Sequence, residues 1–410
     1  LIPLRHSTQS DLPMSLAQNG LRRTWYITLA HTAVDFYMTL CPPLLALFKA
    51  RFGLSLVQVS LIPTVVSVCG SIPQPLMGYF ADRKNRVALA ALGLAVCGVC
   101  VSAIGFAPTA PLLALFLVLS AFGSSLFHPT GASLVTAFAP GRANFALSIF
   151  LTGGTLGMAI SPVTGTQIVE RFGLESFWVL MFPGLALSLL LLLKSRGSRP
   201  ETGQERPASI GLSILRTAAM RPLLLLYVIS VLRYLSHSGY VNFTSLLGEE
   251  RGWSTGKIGW VLSGFLVASM LGRVVGGYIG DRVSPRKLLC LSSVLSAPFF
   301  VGFTALDSGV ALPLYFVAGF IFDMGLSTNI VLAQRILPEN TSAATGLVMG
   351  FSWATSGALI PLVGLLAETV SVAFALACVS SFLLPAALLV AALPDPGEEQ
   401  RASEAAAGSV

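Results

Sequence analysis

Seven ionisable side chains lie inside apolar stretches of the sequence. They are His31, Asp35, His128, Arg233, His237, Arg273 and Asp323. Placing such a group at the centre of a bilayer costs about 2.5–3.5 kcal/mol on insertion scales, so each is a candidate for function by default. A carboxylate beside an imidazole is suited to carrying a proton. An arginine stays charged and can hold a carboxylate, phosphate or phosphonate through two parallel hydrogen bonds.

Spacing pairs four of these residues. His31 and Asp35 are four positions apart, as are Arg233 and His237. Residues at this spacing share one face of a helix. The sequence therefore predicts two helices that each present two ionisable groups on one side.

The elements that position these groups are membrane helices. The chain has 410 residues, of which 54% are hydrophobic and 10% are charged, whereas a soluble domain carries about 25% charged residues. Its twelve apolar runs are each long enough to cross a hydrocarbon core of ~30 Å. We predict an all-α membrane protein with twelve transmembrane helices in two pseudo-symmetric six-helix halves.

A polar interior stretch, residues 195–220, divides the apolar runs six and six. Polar residues also precede the first run, without the apolar stretch and cleavage site of a signal peptide. The predicted division is an N-terminal tail over 1–22, a half over 23–194, a linker over 195–220, a half over 221–393 and a tail over 394–410.

The lysines and arginines predict the orientation. With the N-terminus inside, eighteen of them fall on inner segments and five on outer segments. Cytoplasmic loops carry this excess in membrane proteins. We therefore expect a multi-pass protein of the cytoplasmic (inner) membrane with both termini in the cytoplasm. The net charge of +7 reflects this topology, and no nucleic acid partner is expected.

The two halves are copies of one another in sequence. At a constant offset of 199 residues, identical residues coincide: Gly78 with Gly277, Asp82 with Asp281, Arg83 with Arg282 and Pro162 with Pro361. Duplicated six-helix units are typical of secondary transporters, whose site lies between the halves near the middle of the membrane.

The segment "GYFADRKNR" (78–86) and its copy "GGYIGDRVSPRK" (276–287) place charge on the loop after the second helix of each half. We expect the glycines to let helices approach, the acid to meet a helix N-terminus and the bases to stay in the cytoplasm. The pattern resembles the loop signature of the major facilitator superfamily. Asn85 replaces the usual glycine, which we attribute to its tolerance of left-handed backbone. The candidate gating residues are Gly78, Asp82, Arg83, Arg86, Arg273, Gly277, Asp281 and Arg282.

Four further stretches are similar to the fosmidomycin-resistance family of efflux transporters. They are "AHTAVDFYMTLCPPLLALFKARFGLS" (30–55), "GSSLFHPTGASLV" (123–135), "ALSIFLTGGTLG" (146–157) and "VLAQRILPENTSAATGLVMGF" (331–351). The resemblance implies proton-driven export, and the namesake substrate of that family is an anionic phosphonate antibiotic. It also implies that the first and fourth helices of each half line a central cavity.

Six of the seven ionisable residues lie on those four helices. We assign proton coupling to Asp35, His31 and Asp323, and substrate binding to Arg233, His128, His237 and Asp323. Arg273, one turn before Gly277, is expected near the cytoplasmic end as a gate or loop partner. The alternative is that Asp35, Arg233 and Asp323 only neutralise one another in a buried cluster.

The fifth helix contains "TGGTLGMAISPVTG" (152–165), which resembles the antiporter signature of the superfamily. Gly153, Gly154 and Gly157 allow close packing, and Pro162 bends the helix. Ser161 stands where a glycine usually precedes the proline, which weakens the inference of export. Simple helix packing is an equally good explanation of the motif.

These observations predict a monomeric transporter, with a small molecule and the lipid bilayer as its partners. The favoured function is proton-coupled efflux, by antiport, of a small anionic organic compound or drug through alternating access. The alternatives are a proton symporter that imports a small organic acid and a non-transporting receptor or scaffold. The sequence has no phosphate-binding loop or zinc-protease motif, so we expect no enzyme activity, no metal and no cofactor, with the proton gradient as the energy source.

Overall fold

The computed structural model describes residues 14–83, 85–139, 142–194, 220–280 and 282–393. Residues 1–13, most of the predicted linker, the predicted C-terminal tail and Asp281 lie outside the described residues. The predicted domain division stays a prediction. The first helix begins at Met14, inside the predicted N-terminal tail.

Twelve helical spans in the described residues are long and apolar enough to cross a membrane. They are α1 (Arg22–Phe52), α2 (Leu56–Phe80), α3 (Arg86–Phe106), α4 (Ala110–Phe138), α5 (Phe145–Phe172), α6 (Leu174–Lys194), α7 (Met220–Glu250), α8 (Thr255–Gly280), α9 (Pro285–Ala305), α10 (Ala311–Ile336), α11 (Gly346–Thr369) and α12 (Val372–Ala391). This confirms the predicted all-α fold with twelve transmembrane helices.

Several spans are interrupted, mostly near prolines, which cannot donate a backbone hydrogen bond. The helical pieces are Met14–Met38 and Leu45–Phe52 in α1, Leu56–Ser71 and Gln74–Arg83 in α2, Ala311–Asp323 and Leu326–Ile336 in α10, and Val372–Ser381 and Leu383–Ala391 in α12. The break in α10 follows Asp323 directly. Broken helices at membrane depth are typical of binding sites in transporters.

The turn from α1 to α2 shows how local sequence ends one span and starts the next. Gly53 ends α1 with a left-handed φ of 61°, a conformation that glycine adopts without a steric penalty. Ser55 then caps α2: its Oγ accepts the N–H of Gln58, and the Gln58 side chain accepts the N–H of Ser55. This reciprocal capping box fixes where α2 begins.

The two halves pack through α5 on α8 and α2 on α11. We call the side at which α1 begins and α12 ends the terminal side, and the opposite side the distal side. Four hydrogen bonds join the halves between the distal side and the middle of the helices. They are Lys49 Nζ to Glu249 Oε2 at 2.8 Å, Val57 N to Glu368 Oε2 at 3.0 Å, Thr64 Oγ1 to Gly357 O at 2.9 Å and Val163 N to Ser263 Oγ at 3.0 Å.

Towards the terminal side the halves separate. Among the described residues, the hydrogen bonds between halves that lie nearest to this side are Ser67 to the Trp353 carbonyl, at 3.0 Å, and Arg273 to Thr155, at 3.3 Å. Beyond them, a Cβ added at Gly346 or Gly350 would meet no atom within 4 Å. The halves therefore form a cleft that is sealed on the distal side.

The two loop motifs share one local geometry. Arg83 lies over the ring of Tyr79 at 3.5 Å, and Arg282 lies over Tyr278 at 3.7 Å. Each arginine also donates to the carbonyl of the same tyrosine, at 3.3 and 2.9 Å. The matching contacts support the duplication predicted from the sequence. The side chain of Asp82 and all of Asp281 lie outside the described residues.

The structure changes two explanations offered for these motifs. Asn85 is not left-handed: it has a φ of −71° and caps α3, its side chain accepting the N–H of Ala88. A Cβ at Gly78 would make only an ordinary contact with Pro129, at 3.6 Å, and at Gly277 it would meet nothing within 4 Å. Close helix packing therefore explains neither glycine in this conformation.

Candidate functional site

Asp35 lies between two imidazoles in the N-terminal half. Its Oδ2 is 3.3 Å from Nε2 of His31, one turn earlier on α1. Its Oδ1 is 3.0 Å from Nε2 of His128 on α4. We call His31, Asp35 and His128 the carboxylate–imidazole cluster. The structure thus brings together three residues that the sequence placed on two different helices.

The backbone fixes the tautomer of both imidazoles. Nδ1 of His31 lies 2.7 Å from the carbonyl oxygen of Phe150, and Nδ1 of His128 lies 2.9 Å from that of Ser124. A carbonyl oxygen only accepts, so each Nδ1 carries a hydrogen. In the neutral rings both Nε2 atoms are then acceptors that face a carboxylate. Each contact becomes a hydrogen bond only when a further proton lies between its nitrogen and oxygen.

The cluster is tightly enclosed on one side and open on the other. His31 is 3% exposed and stacks on Phe150 with ring centroids 3.9 Å apart. A Cβ at Gly154 of α5 would collide with the Asp35 carboxylate and the His31 ring. The side chains of Asp35 and His128 keep 16% and 29% exposure. A proton can therefore reach the cluster from its exposed side.

The predicted packing motif of α5 lies against α1. Cβ atoms at Gly153 and Gly157 would collide with Thr28 and with the Thr32 carbonyl, so both glycines lie at close approaches of the two helices. Ser161, the departure from the resemblance, donates to the carbonyl of Phe36 on α1 at 2.6 Å. Pro162 lies inside the continuous helix Ala143–Phe172.

A second cluster of charge lies in the C-terminal half. Asp323, 1% exposed at the break in α10, accepts a hydrogen bond of 3.1 Å at Oδ2 from Nη2 of Arg273 on α8. The Nη1 of Arg273 donates to Thr155 Oγ1 on α5 at 3.3 Å. Arg273 therefore links α8, α10 and the opposite half at the level of the first cluster, and its predicted role as a gate or loop partner stays a prediction.

Arg233 is held inside the C-terminal half. It is 3% exposed, donates to the Phe322 carbonyl at 2.8 Å and to the Ser293 hydroxyl, and lies 4.4 Å from the centre of the Phe322 ring. His237 is 7% exposed and lies among aromatic rings, 5.8 Å from that of Phe322. The predicted roles of both residues in substrate binding stay predictions.

Sequence reasoning missed the residues that hold the predicted groups in place. Phe150 orients His31, Ser293 accepts from Arg233, and Thr155 joins Arg273 to the N-terminal half. Thr155 lies next to Gly154 in the quoted stretch 152–165. Its hydroxyl in an otherwise apolar helix was a signal that it forms a hydrogen bond. Nothing in the sequence indicated the carbonyl of Phe150.

The carboxylate–imidazole cluster also has the spacing of a small-cation site. One potential ligand atom from each of its three residues lies within 4.8 Å of the other two, the one such group in the described residues. Protons shared between these atoms are the alternative to a metal ion. The expectation that the protein uses no metal stays a prediction, and chelation can test it.

Comparisons with known proteins agree with this architecture. The sequence profile of the Major Facilitator Superfamily matches residues 27–256 and 226–409. The chain is 28% identical over 381 residues to the fosmidomycin resistance protein of Escherichia coli (strain K12), covering 90% of this chain and 92% of that protein.

Two solved structures are similar in fold. One is a bacterial homologue of the human lysosomal transporter Spinster, in an inward-facing and occupied conformation, with a TM-score of 0.74, 16% identity and coverage of 90% of this chain and 95% of that one. The other is a D-xylose–proton symporter, with a TM-score of 0.73, 15% identity and coverage of 91% and 97%. Twelve membrane helices, duplicated halves and a profile match across both halves lead to one conclusion: this chain belongs to the Major Facilitator Superfamily, and it is a multi-pass membrane transporter, not an enzyme.

Proposed function

We propose that this transporter exports a small anionic organic compound in exchange for protons, by alternating access of the central cleft. Asp35, with the imidazoles of His31 and His128, is the proposed proton site, and Asp323 is a second proposed acid for proton coupling. The lysine and arginine bias supports a terminal side in the cytoplasm and a distal side outside. The substrate then enters the cleft from the cytoplasm in the conformation described above.

One observation carries the proposal: both imidazoles of the carboxylate–imidazole cluster direct Nε2 at Asp35, while each Nδ1 lies against a backbone carbonyl. The contacts at 3.3 and 3.0 Å are repulsive without protons and attractive with them, so the cluster has two places for an exchangeable proton. A proton that moves inward gains about 2.3 kcal/mol per 100 mV of membrane potential. One or two protons per cycle supply enough energy to concentrate a substrate.

Export is supported by the similar relative, whose name is that of a resistance protein, and the glycines of α5 support a connection between protonation and the interface of the halves. Gly154 lies against the Asp35 carboxylate, so a change in the protonation of Asp35 acts directly on the packing of α5 against α1. Because α5 also packs on α8 of the opposite half, this contact connects the proton site to the interface that must move.

The test uses protein reconstituted in liposomes with an internal pH dye. Phenylphosphonate and benzoate serve as candidate anions, and Asp35→Asn is compared with Asp307→Asn, an acid whose side chain is 78% exposed in a loop. We expect substrate-dependent proton movement in the parent and in Asp307→Asn and none in Asp35→Asn. Proton and substrate movement in the same direction would instead favour the importing symporter. Equal proton movement in all three proteins would refute the role of Asp35.

A further inference from the structure

We infer that Arg273 is the residue that binds the anionic group of the substrate, a carboxylate, phosphate or phosphonate held at the opening between α5 and α8. This inference rests on the proposed function and adds a contact residue to it. The sequence pointed to Arg233 for this role and to Arg273 for a gate. The hydrogen bonds and the exposure of the two arginines instead favour Arg273 as the residue that binds the anion.

Arg273 has unused donors. Nη2 donates to Asp323 and Nη1 to Thr155, while the buried Nε has no hydrogen-bond partner among the described residues. A guanidinium has five N–H donors. Leaving a buried N–H unsatisfied is costly, and more so when the group is charged. An oxyanion that accepts from Nε–H and a neighbouring Nη–H removes this cost with the paired geometry that arginine favours.

Arg273 is also accessible. Its side chain is 37% exposed, whereas Arg233 is 3% exposed. Arg233 donates to Phe322 and Ser293 and lies over an aromatic ring, so a ligand would have to displace packed residues to reach it. A ligand meets the exposed part of the Arg273 side chain without such displacement, and the side chain then has to turn to bring its buried Nε–H to the ligand.

The charges of this cluster favour an anion. Arg233 and Arg273 are both near Asp323, which interacts electrostatically with Arg233 and is hydrogen-bonded to Arg273. Two guanidinium groups and one carboxylate leave one positive charge without a partner. An uncompensated charge at membrane depth is unfavourable, and a bound anion supplies the missing negative charge.

The position of Arg273 connects the anion to the proton site. Its partner Thr155 follows Gly154, which lies against Asp35. When the guanidinium turns towards a bound anion, Nη1 moves away from Thr155 and a hydrogen bond between the halves is broken. Substrate binding and protonation then act on consecutive residues of α5, so each can change the packing on which the other depends.

The experiment measures equilibrium binding of phenylphosphonate to the full-length protein in lipid nanodiscs by calorimetry, with benzyl alcohol as an uncharged analogue. The variants are Arg273→Gln, Arg273→Lys and Arg233→Lys, each checked for thermal stability without ligand. We expect Arg273→Gln to weaken phenylphosphonate binding by about tenfold or more, the loss expected for hydrogen bonds to a charged group. Arg273→Lys keeps the charge but not the paired geometry, so it should lie between Arg273→Gln and the parent. Arg233→Lys should bind within about twofold of the parent, because Arg233 makes no direct hydrogen bond to the ligand in this account.

Three results would overturn the inference: parental affinity in Arg273→Gln, a larger loss in Arg233→Lys than in Arg273→Lys, or tighter binding of benzyl alcohol than of phenylphosphonate by the parent. Binding is measured without a proton gradient. An unchanged affinity in Arg273→Gln would therefore contradict only the role of Arg273. Proton coupling is tested separately, by Asp35→Asn in liposomes.

Discussion

Nη1 of Arg273 on α8 donates a 3.3 Å hydrogen bond to Oγ1 of Thr155 on α5, the residue that follows Gly154. This contact joins the two halves at the depth where Gly154 lies against the Asp35 carboxylate. The acid of one half and the arginine of the other therefore meet consecutive residues of one helix. The interface of α5 and α8 is the part of the molecule on which both clusters can act.

Gly154 should tolerate no side chain. In Gly154→Ala the new Cβ collides with Asp35 and His31, so we expect the carboxylate to leave the imidazoles and substrate-dependent proton movement to be lost. Gly350→Ala is the matched control, because its Cβ meets no atom within 4 Å. Proton movement is measured in liposomes and melting temperature in detergent. A Gly154→Ala protein that couples as well as Gly350→Ala would contradict the geometry of the cluster.

Removing one imidazole should lower the number of exchangeable protons. In His128→Ala, Asp35 keeps only its contact with His31, so one of the two shared-proton positions is lost. We expect the number of protons moved per substrate to fall, since one of the two nitrogen–oxygen contacts that can hold a proton is removed. Ser133→Ala, on the same helix α4, is the control. An unchanged ratio in His128→Ala would show that His128 carries no coupled proton.

Breaking the ion pair between the halves on the distal side should favour opening there. Lys49 and Glu249 lie 2.8 Å apart across the halves, and an exposed pair contributes about 0–1 kcal/mol. We expect Glu249→Gln to raise the distal-open population by up to about fivefold, as read from spin-label distances across the distal side. Glu175→Gln, which breaks the pair of Arg51 and Glu175 within the N-terminal half, should leave the distances unchanged. Equal shifts of the spin-label distances in both variants would argue against a gating role of the Lys49–Glu249 pair.

Removal of metal should not affect transport. The carboxylate–imidazole cluster has the spacing of a small-cation site, but the proposed account fills it with protons. We expect the rate of substrate exchange to be the same before and after dialysis against EDTA. The readout is exchange of labelled phenylphosphonate in liposomes. A loss of exchange that zinc or manganese restores would replace the proton by a metal ion at this cluster.

Much of the fold was predictable because the composition of each segment and the repetition between the two halves can be read directly from the sequence. Charge density and apolar runs predicted twelve spans, and the constant offset between Gly78 and Gly277 predicted the two halves. The pairing of His31 with Asp35 followed from their spacing on one helix. The partner His128 was a candidate because it is an ionisable residue in an apolar run, and the resemblance assigned its helix α4 to the cavity.

The rest depended on how helices rotate against one another, which no single helix specifies. The ion pair of Arg273 with Asp323 requires α8 and α10 to face each other at one depth. The burial of Arg233 depends on the carbonyl of Phe322 and the hydroxyl of Ser293, which come from two other helices. Asn85 was given a left-handed role from its residue type, yet its position before α3 made it a cap instead.

Coupling of transport to protons at the carboxylate–imidazole cluster is tested most directly by measuring substrate exchange and substrate accumulation in one variant. Asp35→Asn liposomes are assayed for exchange of labelled phenylphosphonate at equal pH and for its accumulation driven by an imposed pH gradient. We expect exchange to continue at close to the parental rate and gradient-driven accumulation to be lost, since exchange needs no net proton movement. Accumulation by Asp35→Asn at the parental level would contradict the claim that the carboxylate–imidazole cluster couples transport to protons.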